Sequence, residues 1–389
     1  MSRYLLPPGI YLDGNSLGPM PGGLRAELSA ELDRWESLGV RAWETWFSLA
    51  ESLSPQLAGL VGAESDEVIA TGSISANLHA LLATFYLPEG ERRDIVAAAC
   101  EFPSDLYALS AWCQRLGGKL RLIPARHELL EEEDIWACLD ERVALLWLPT
   151  VLYRSGQLLE VGRWTAEAHR VGALAGWDAA HSVGALPHAF HAQEVDFAVW
   201  CHYKYVAAGP GAPAGLFVHR KHAGALPGLP GWWGSDKASQ FAMATPMSPA
   251  AGAGRFQQGT PSVLALAALR AALRVLAQVD LAEVRASSLR LTSLLIDLID
   301  RYLPECALIT PRDPERRGGH VTLRHSRARV LGEQLREDGV IPDVRPPDLL
   351  RLAPFPLQTE PAELERAVLA IRSRLDRAEW DRPELSQVP

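Results

Sequence analysis

The sequence contains no Cys-x-x-Cys pair, and its five cysteines, Cys100, Cys113, Cys138, Cys201 and Cys306, are odd in number. A disulfide framework is therefore not expected, nor a structural zinc site or any other metal centre, and a reducing cytoplasm is the simple setting. No uninterrupted apolar run of about 18 residues exists, so no membrane span is expected. Residues 1–9 lack a charged region followed by an apolar run, so no signal peptide is read there. Lysine and arginine are never gathered into a stripe and the net charge is -9, which argues against a nucleic-acid partner. That mild acidity says little about small anionic substrates, which answer to local fields. Internal repeats and low-complexity tracts are also missing.

What remains is a chain of 389 residues that is 48% apolar. It can bury the core of one large α/β domain plus a smaller one, or of two equal domains. Its 12 tryptophans imply large apolar surface to bury or to share with a partner. Residues 11–19 read as a turn-rich arm. Apolar Leu24, Leu28, Leu32 and Trp35 predict a helix over residues 24–46. From about residue 53, short apolar runs alternate with helical periodicity. Strands are expected at 94–99, 120–124, 143–148, 173–177 and 197–200, with a further one at 214–218. Helices are expected at 76–85, 105–116, 132–139 and 164–171. This alternation predicts a mostly parallel sheet between helices. After an irregular stretch from 227 to 260, helices follow at 262–276 and 281–302. The second of these begins a small C-terminal α/β domain with strands at 320–324 and 349–352 and helices at 328–338 and 362–375. The resulting division is an arm and helix over 1–50, a large domain over 51–280 and a small domain over 281–389, with a loose tail after Trp380.

Four groups at the ends of successive elements suit pyridoxal 5'-phosphate (PLP): a lysine for the aldehyde, an acid for the ring nitrogen, an anion cradle and a flat ring contact. Open α/β sheets bind ligands outside the carboxyl ends of their strands. Lys204 follows the apolar run 197–200, is flanked by Tyr203 and Tyr205, and precedes a Gly/Pro loop that lets backbone approach a ligand. The alternative for a lone lysine is a solvated surface position, but apolar surroundings favour Schiff-base chemistry. Asp178 ends the run 173–177, and His181 stands three residues on. There the alternatives are a helix N-cap and a polar filler. Thr71-Gly72-Ser73-Ile74-Ser75 opens the 76–85 helix, whose N-terminal amides and dipole favour a phosphate; an ordinary Ser cap is the alternative. Phe102 can lie on a flat ring, while Ser104 and Asp105 also fit as caps of the following helix.

These pieces, in this order, resemble kynureninase, within the aminotransferase class V branch of fold type I PLP enzymes. The matching segments include Leu12-Asp13-Gly14-Asn15-Ser16-Leu17-Gly18, Phe102-Pro103-Ser104-Asp105, Asp178-Ala179-Ala180-His181, Tyr203-Lys204-Tyr205, Gly231-Trp232-Trp233-Gly234, Gly259-Thr260-Pro261 and Arg351-Leu352-Ala353-Pro354. The FPSD, DxAHxxG and YKY pieces are specific together and not singly. The resemblance implies that Lys204 carries the cofactor, that Asp178 pairs with the ring nitrogen and that His181 lies near it. It implies that Ile74, Ser75 and Tyr203 hold the phosphate, that Phe102 packs on the ring, and that Ser104 and Asp105 belong to the same shell. Thr150 falls near another cofactor contact, with poorer alignment. Trp232 and Thr260 would reach the cofactor of a neighbouring subunit, which implies a homodimer with shared active sites. Arg351 resembles the arginine that grips the carboxylate of an amino-acid substrate. The implied reaction is hydrolysis of L-kynurenine to anthranilate and L-alanine, or of 3-hydroxykynurenine to 3-hydroxyanthranilate. The enzyme class is a hydrolase of carbon–carbon bonds in ketonic substances, serving tryptophan catabolism and NAD biosynthesis. Catalysis would rest on Lys204, Asp178 and Tyr203, with Tyr203 handling a proton.

The segment from Trp35 to Trp46 departs from the family. It should contribute to the aryl pocket, but it matches poorly and contains no histidine, which leaves the preferred ring substituent open. Two other readings are a cysteine desulfurase of the same branch and a non-enzymatic scaffold. The first wants a cysteine in a mobile Gly/Ser-rich loop, and none of the five occupies one. The second is opposed by the retention of every candidate cofactor group.

Overall fold

The computed structural model describes residues 3–380; the tail expected after Trp380 lies outside them. A seven-stranded sheet forms the body. Its spatial order is Val68–Thr71, Ala214–Val218, Phe197–Trp200, Leu174–Asp178, Val143–Pro149, Asp94–Ala98 and Leu120–Ile123. Only Ala214–Val218 runs antiparallel to its neighbours. Asp94–Ala98, Phe197–Trp200 and Ala214–Val218 are buried at every residue. Such continuous runs belong to a sheet covered on both faces. The edge strand Val68–Thr71 was not foreseen, because four residues carry too little periodicity.

A second, antiparallel sheet takes the order Ala307–Leu308, Val321–Arg324, Leu349–Leu352 and Asp343–Arg345. With the helices Leu281–Tyr302, Ala328–Glu337 and Pro361–Arg377 it encloses a separate apolar core that includes Leu295, Ile299, Leu331, Leu350, Leu364 and Ile371. The N-terminal arm ties this unit to the large sheet. Ile10–Tyr11 pairs in parallel with Val340–Ile341, and Gly18 N–H donates to Tyr203 O at 2.7 Å. A Cβ on Gly18 would lie 2.2 Å from Lys204 O, so only glycine allows the arm to seat on the lysine loop.

The helix expected over 24–46 is broken. It runs Leu24–Leu38, turns at Gly39 with φ 52° and resumes as the short Trp43–Trp46. Its orientation also differs from the periodicity. Leu32 and Trp35 are exposed, at 47% and 61%, whereas Glu31 is buried. Glu31 accepts from Trp46 Nε1 at 2.6 Å and from Arg270 Nη2 at 2.5 Å. Paired charge won the inner face, and an apolar stripe faces outward.

Candidate active site

The carboxyl ends of the central strands open into a cavity of about 190 Å³. Ile74, Ser75, Phe102, Ser104, Asp105, Asp178, His181, Tyr203 and Lys204 all line it. They arrive from four element ends: the starts of the helices Ile74–Phe85 and Pro103–Leu116, and the carboxyl ends of the strands Leu174–Asp178 and Phe197–Trp200 with the turns that follow them. Ser73 caps the helix Ile74–Phe85, its side chain accepting from Ala76 N–H at 3.2 Å. The amides of Ile74 and Ser75 stand in the first turn, where a helix has no partner of its own to offer them. Pro103 starts the helix Pro103–Leu116 at its first position, where a missing N–H costs nothing. Phe102 is 41% exposed, the state of a ring offered to a ligand, and meets Tyr153 edge-on with centroids 5.5 Å apart.

Lys204 Nζ lies 2.9 Å from His181 Nε2. Burial, and then the positive charge of Lys204, holds the imidazole well below its ordinary pKa. His181 is therefore neutral and accepts from the lysine, while its buried Nδ1 has no partner among the described residues. Asp178 is buried with Ala180 N–H donating to Oδ1 at 2.8 Å. Burial pushes its carboxyl up, against the pull of Lys204. The Tyr203 phenol is also pushed up by burial, so it stays protonated at neutral pH.

Other residues singled out in the sequence lie elsewhere. Thr150 does not line the cavity. It braces the strand ends, with Oγ1 2.6 Å from Ser182 Oγ and N–H donating to Asp178 O at 2.8 Å. Trp232 and Thr260 are exposed and lie outside the cavity. Trp232 lines a separate apolar groove of about 440 Å³ with Leu226 and Met243. Arg351 is fully buried on its strand, behind the cavity wall. Its guanidinium is ion-paired with Asp343 and donates to Tyr153 O and, at 3.2 Å, to Ser16 Oγ. It is thus neither a solvated surface residue nor open to the cavity. The Trp35–Trp46 segment does not reach the cavity either: Trp43 packs on Trp233.

Glu101, Tyr153 and Cys201 line the cavity without having been singled out. A signal for Glu101 was available, since it is an ionisable residue directly after an apolar strand and beside Phe102. Cys201 is buried, and burial raises its thiol pKa, the opposite of what a mobile thiolate nucleophile requires.

A curated kynureninase of Geobacillus thermodenitrificans is 45% identical to this chain over 97% of the chain and 91% of the relative. The chain belongs to the kynureninase family. A kynureninase of Shouchella clausii is 44% identical over 91% of the chain and 85% of the relative. A family model described as the kynureninase C-terminal domain matches residues 284–371, which covers most of the second core. Among solved structures, a C-DES mutant with glycine covalently linked to its PLP cofactor superimposes with TM-score 0.84 at 21% identity, over 94% of this chain and 96% of the other. An apo cysteine desulfurase from Thermococcus onnurineus NA1 gives 0.82 at 18% identity, over 95% of each chain. The fold is that of fold type I PLP-dependent enzymes of class V, as the sequence resemblance implied.

Proposed function

We propose that the chain is a PLP-dependent hydrolase that cleaves L-kynurenine, or its 3-hydroxy derivative, to the anthranilate and L-alanine. The observation that carries the reading is one cavity that brings Lys204 against a neutral His181, beside a buried Asp178, under Phe102 and the first turn of Ile74–Phe85. These groups fit the cofactor by their chemistry. A lysine amine suits an aldehyde, a buried carboxylate suits a ring nitrogen, and first-turn amides suit a phosphate. Lys204, Asp178, His181, Ile74, Ser75, Phe102, Ser104, Asp105 and Tyr203 would hold it, with Thr150 acting through Asp178. When bound, the cofactor supplies an electron sink for carbanions at the substrate's Cα and Cβ.

Lys204 Nζ, held 2.9 Å from His181 Nε2 in the cavity, is the group placed to take and return the Cα proton. Tyr203, protonated and in the cavity, delivers a proton from its hydroxyl as water adds to the aryl carbonyl. Arg351 would hold the substrate carboxylate only by sharing its fork with Asp343. The desulfurase alternative lacks a suitable thiol, because Cys201 is sealed in the floor.

The functional unit in this reading is a homodimer with shared sites. Supporting it, Trp232 and the residues before Thr260 sit together, with Trp233 N–H donating to Gln258 O at 3.3 Å. Phe241 and Met243 beside them are exposed, as is the stripe of Leu32 and Trp35. Two large apolar clusters support a division near residue 280, with Ala42, Trp46, Leu49 and Ala50 of the first fifty residues packed into the first and Leu12 into the second. No helix of the described residues is long and apolar enough to cross a membrane, and a cytoplasmic place in tryptophan catabolism, feeding NAD biosynthesis, is part of the proposal. Separate incubation with kynurenine, 3-hydroxykynurenine and cysteine tests it. Release of anthranilate or 3-hydroxyanthranilate supports it, and sulfide from cysteine alone refutes it. Mixing Lys204→Ala with Trp232→Ala subunits tests the shared site: verified hybrids of two inactive parents should regain activity.

A further inference from the structure

Three carboxylates meet on the cavity floor. Oxygens of Glu101, Asp105 and Asp178 lie within 4.8 Å of one another, and all three residues are buried. They come from three elements: the turn after Asp94–Ala98, the helix Pro103–Leu116 and the end of Leu174–Asp178. Three full negative charges at that spacing, away from water, repel strongly. Lys204 is the cation nearby, and it already acts on all three.

Hydrogen bonds satisfy only part of this trio. Asp178 has Ala180 N–H on Oδ1. Asp105 Oδ2 accepts from Trp147 Nε1 at 3.1 Å, and Glu101 Oε1 accepts from Phe102 N–H at 2.8 Å. The two remaining buried oxygens, Glu101 Oε2 and Asp105 Oδ1, have no partner among the described residues. A carboxylate can only accept, so two orphaned acceptor oxygens in one such cluster cannot satisfy each other. One proton between them satisfies both.

We propose that Glu101 is the neutral, proton-bearing member of this trio and donates that hydrogen to Asp105, a positioning residue that leaves Asp178 as the ionised acid facing the ligand. Burial, then the charges of Asp105 and Asp178, pushes its carboxyl well up, in the same direction as the geometry. Burial and the Asp178 charge push the Asp105 carboxyl up as well, so the Trp147 N–H and the Glu101 hydrogen are what sustain its charge, and with PLP bound Asp105 and Asp178 are the anions facing a protonated ring nitrogen. That last clause rests on the PLP reading; the proton on Glu101 does not.

The test separates the two. Infrared spectra of the full chain without cofactor, at neutral pH, should contain a carboxylic-acid carbonyl band. It should move when glutamate is labelled with 13C at its side-chain carboxyl, stay when aspartate is so labelled, and vanish in Glu101→Gln. Absence of the band, or a shift with labelled aspartate, overturns the proposal, and the label arm needs no variant to fold. PLP titration adds a functional readout. Glu101→Gln keeps a hydrogen for Asp105 and should bind PLP within about threefold of wild type. If Glu101 were instead an ionised partner of the ring, the amide would weaken binding at least about tenfold, and that outcome also overturns the proposal. Failure of the wild type to bind PLP would refute the functional reading while the infrared result still decides Glu101.

Discussion

Asp178 ends the strand Leu174–Asp178, and Asp196 leads into the adjacent parallel strand Phe197–Trp200, so the two lie at opposite strand ends of one sheet. Both are buried. Asp196 is surrounded by donors: His169 Nε2, His222 Nε2 and Lys221 Nζ, each at 2.8 Å, and Ala175 N–H at 2.7 Å. Burial works against its charge, but hydrogen bonds from His169, His222 and Lys221 outweigh burial and hold the carboxyl well below the usual range. Asp178 has one backbone donor, sits among acids, and is pushed up by burial. A buried carboxylate whose oxygens are all satisfied is structural. One left short of donors, beside a cavity and a lysine, is held for something that arrives later.

The largest effect should come from removing the cation opposite Asp178. Lys204→Ala should abolish turnover while circular dichroism stays unchanged, and borohydride should fix PLP to a peptide containing Lys204. Fixation at Lys119, Lys221 or Lys237 would contradict the assignment.

The paired substitutions Asp178→Asn and Asp196→Asn test the comparison directly. Asp196→Asn should cost about 3 kcal/mol in urea unfolding, as for breaking a buried ion pair, and leave kcat/KM of the folded fraction intact. Asp178→Asn should change stability by less than about 1 kcal/mol yet lower kcat about a hundredfold or more, the loss typical for one aligned electrostatic group. The pH dependences have opposite signs. Asp196 has a depressed folded pKa, so its stabilisation is present above the unfolded value of about 4 and disappears as pH falls below it. Asp178 has a raised folded pKa, so it is destabilising above that same value, and Asp178→Asn removes the penalty. Equal stability losses in both variants would erase the distinction.

Asp343 is intermediate, a buried carboxylate ion-paired with Arg351 and, at 3.1 Å, with Arg345. Arg351→Ala should lower kcat/KM about tenfold to a hundredfold, the worth of a charge-assisted fork, with the cofactor's absorbance retained. Near-normal kcat/KM with a lowered unfolding midpoint would make the pair purely structural, like Asp196. The smallest effect is expected from Thr150→Val, which keeps the backbone N–H bond to Asp178 O and removes the hydroxyl contacts to Ser182 Oγ and, at 3.3 Å, to Asp178 O. Its kcat should fall by about threefold to tenfold, as one neutral hydrogen bond predicts. No change would reduce Thr150 to a packing residue.

By itself the sequence determined the layered fold, because continuous apolar runs such as 197–200 and 214–218 can be buried only inside a two-sided sheet. It also singled out the lysine, the Asp-x-x-His and the hydroxyl-rich helix start, which lie at successive element ends along the chain and which the fold gathers at one cavity. Tertiary structure decided what depends on neighbours distant in sequence. The face of Leu24–Leu38 that turns inward was set by Arg270 and Trp46, not by the periodicity of Leu28, Leu32 and Trp35. Arg351 was read as a substrate grip, but the position of its fork depends on Asp343, Ser16 and Tyr153, which no spacing rule links to it. Glu101 and Asp105 look like an ordinary turn and helix cap along the chain, and only folding brings them against Asp178, because electrostatic repulsion acts through space while periodicity runs along the backbone.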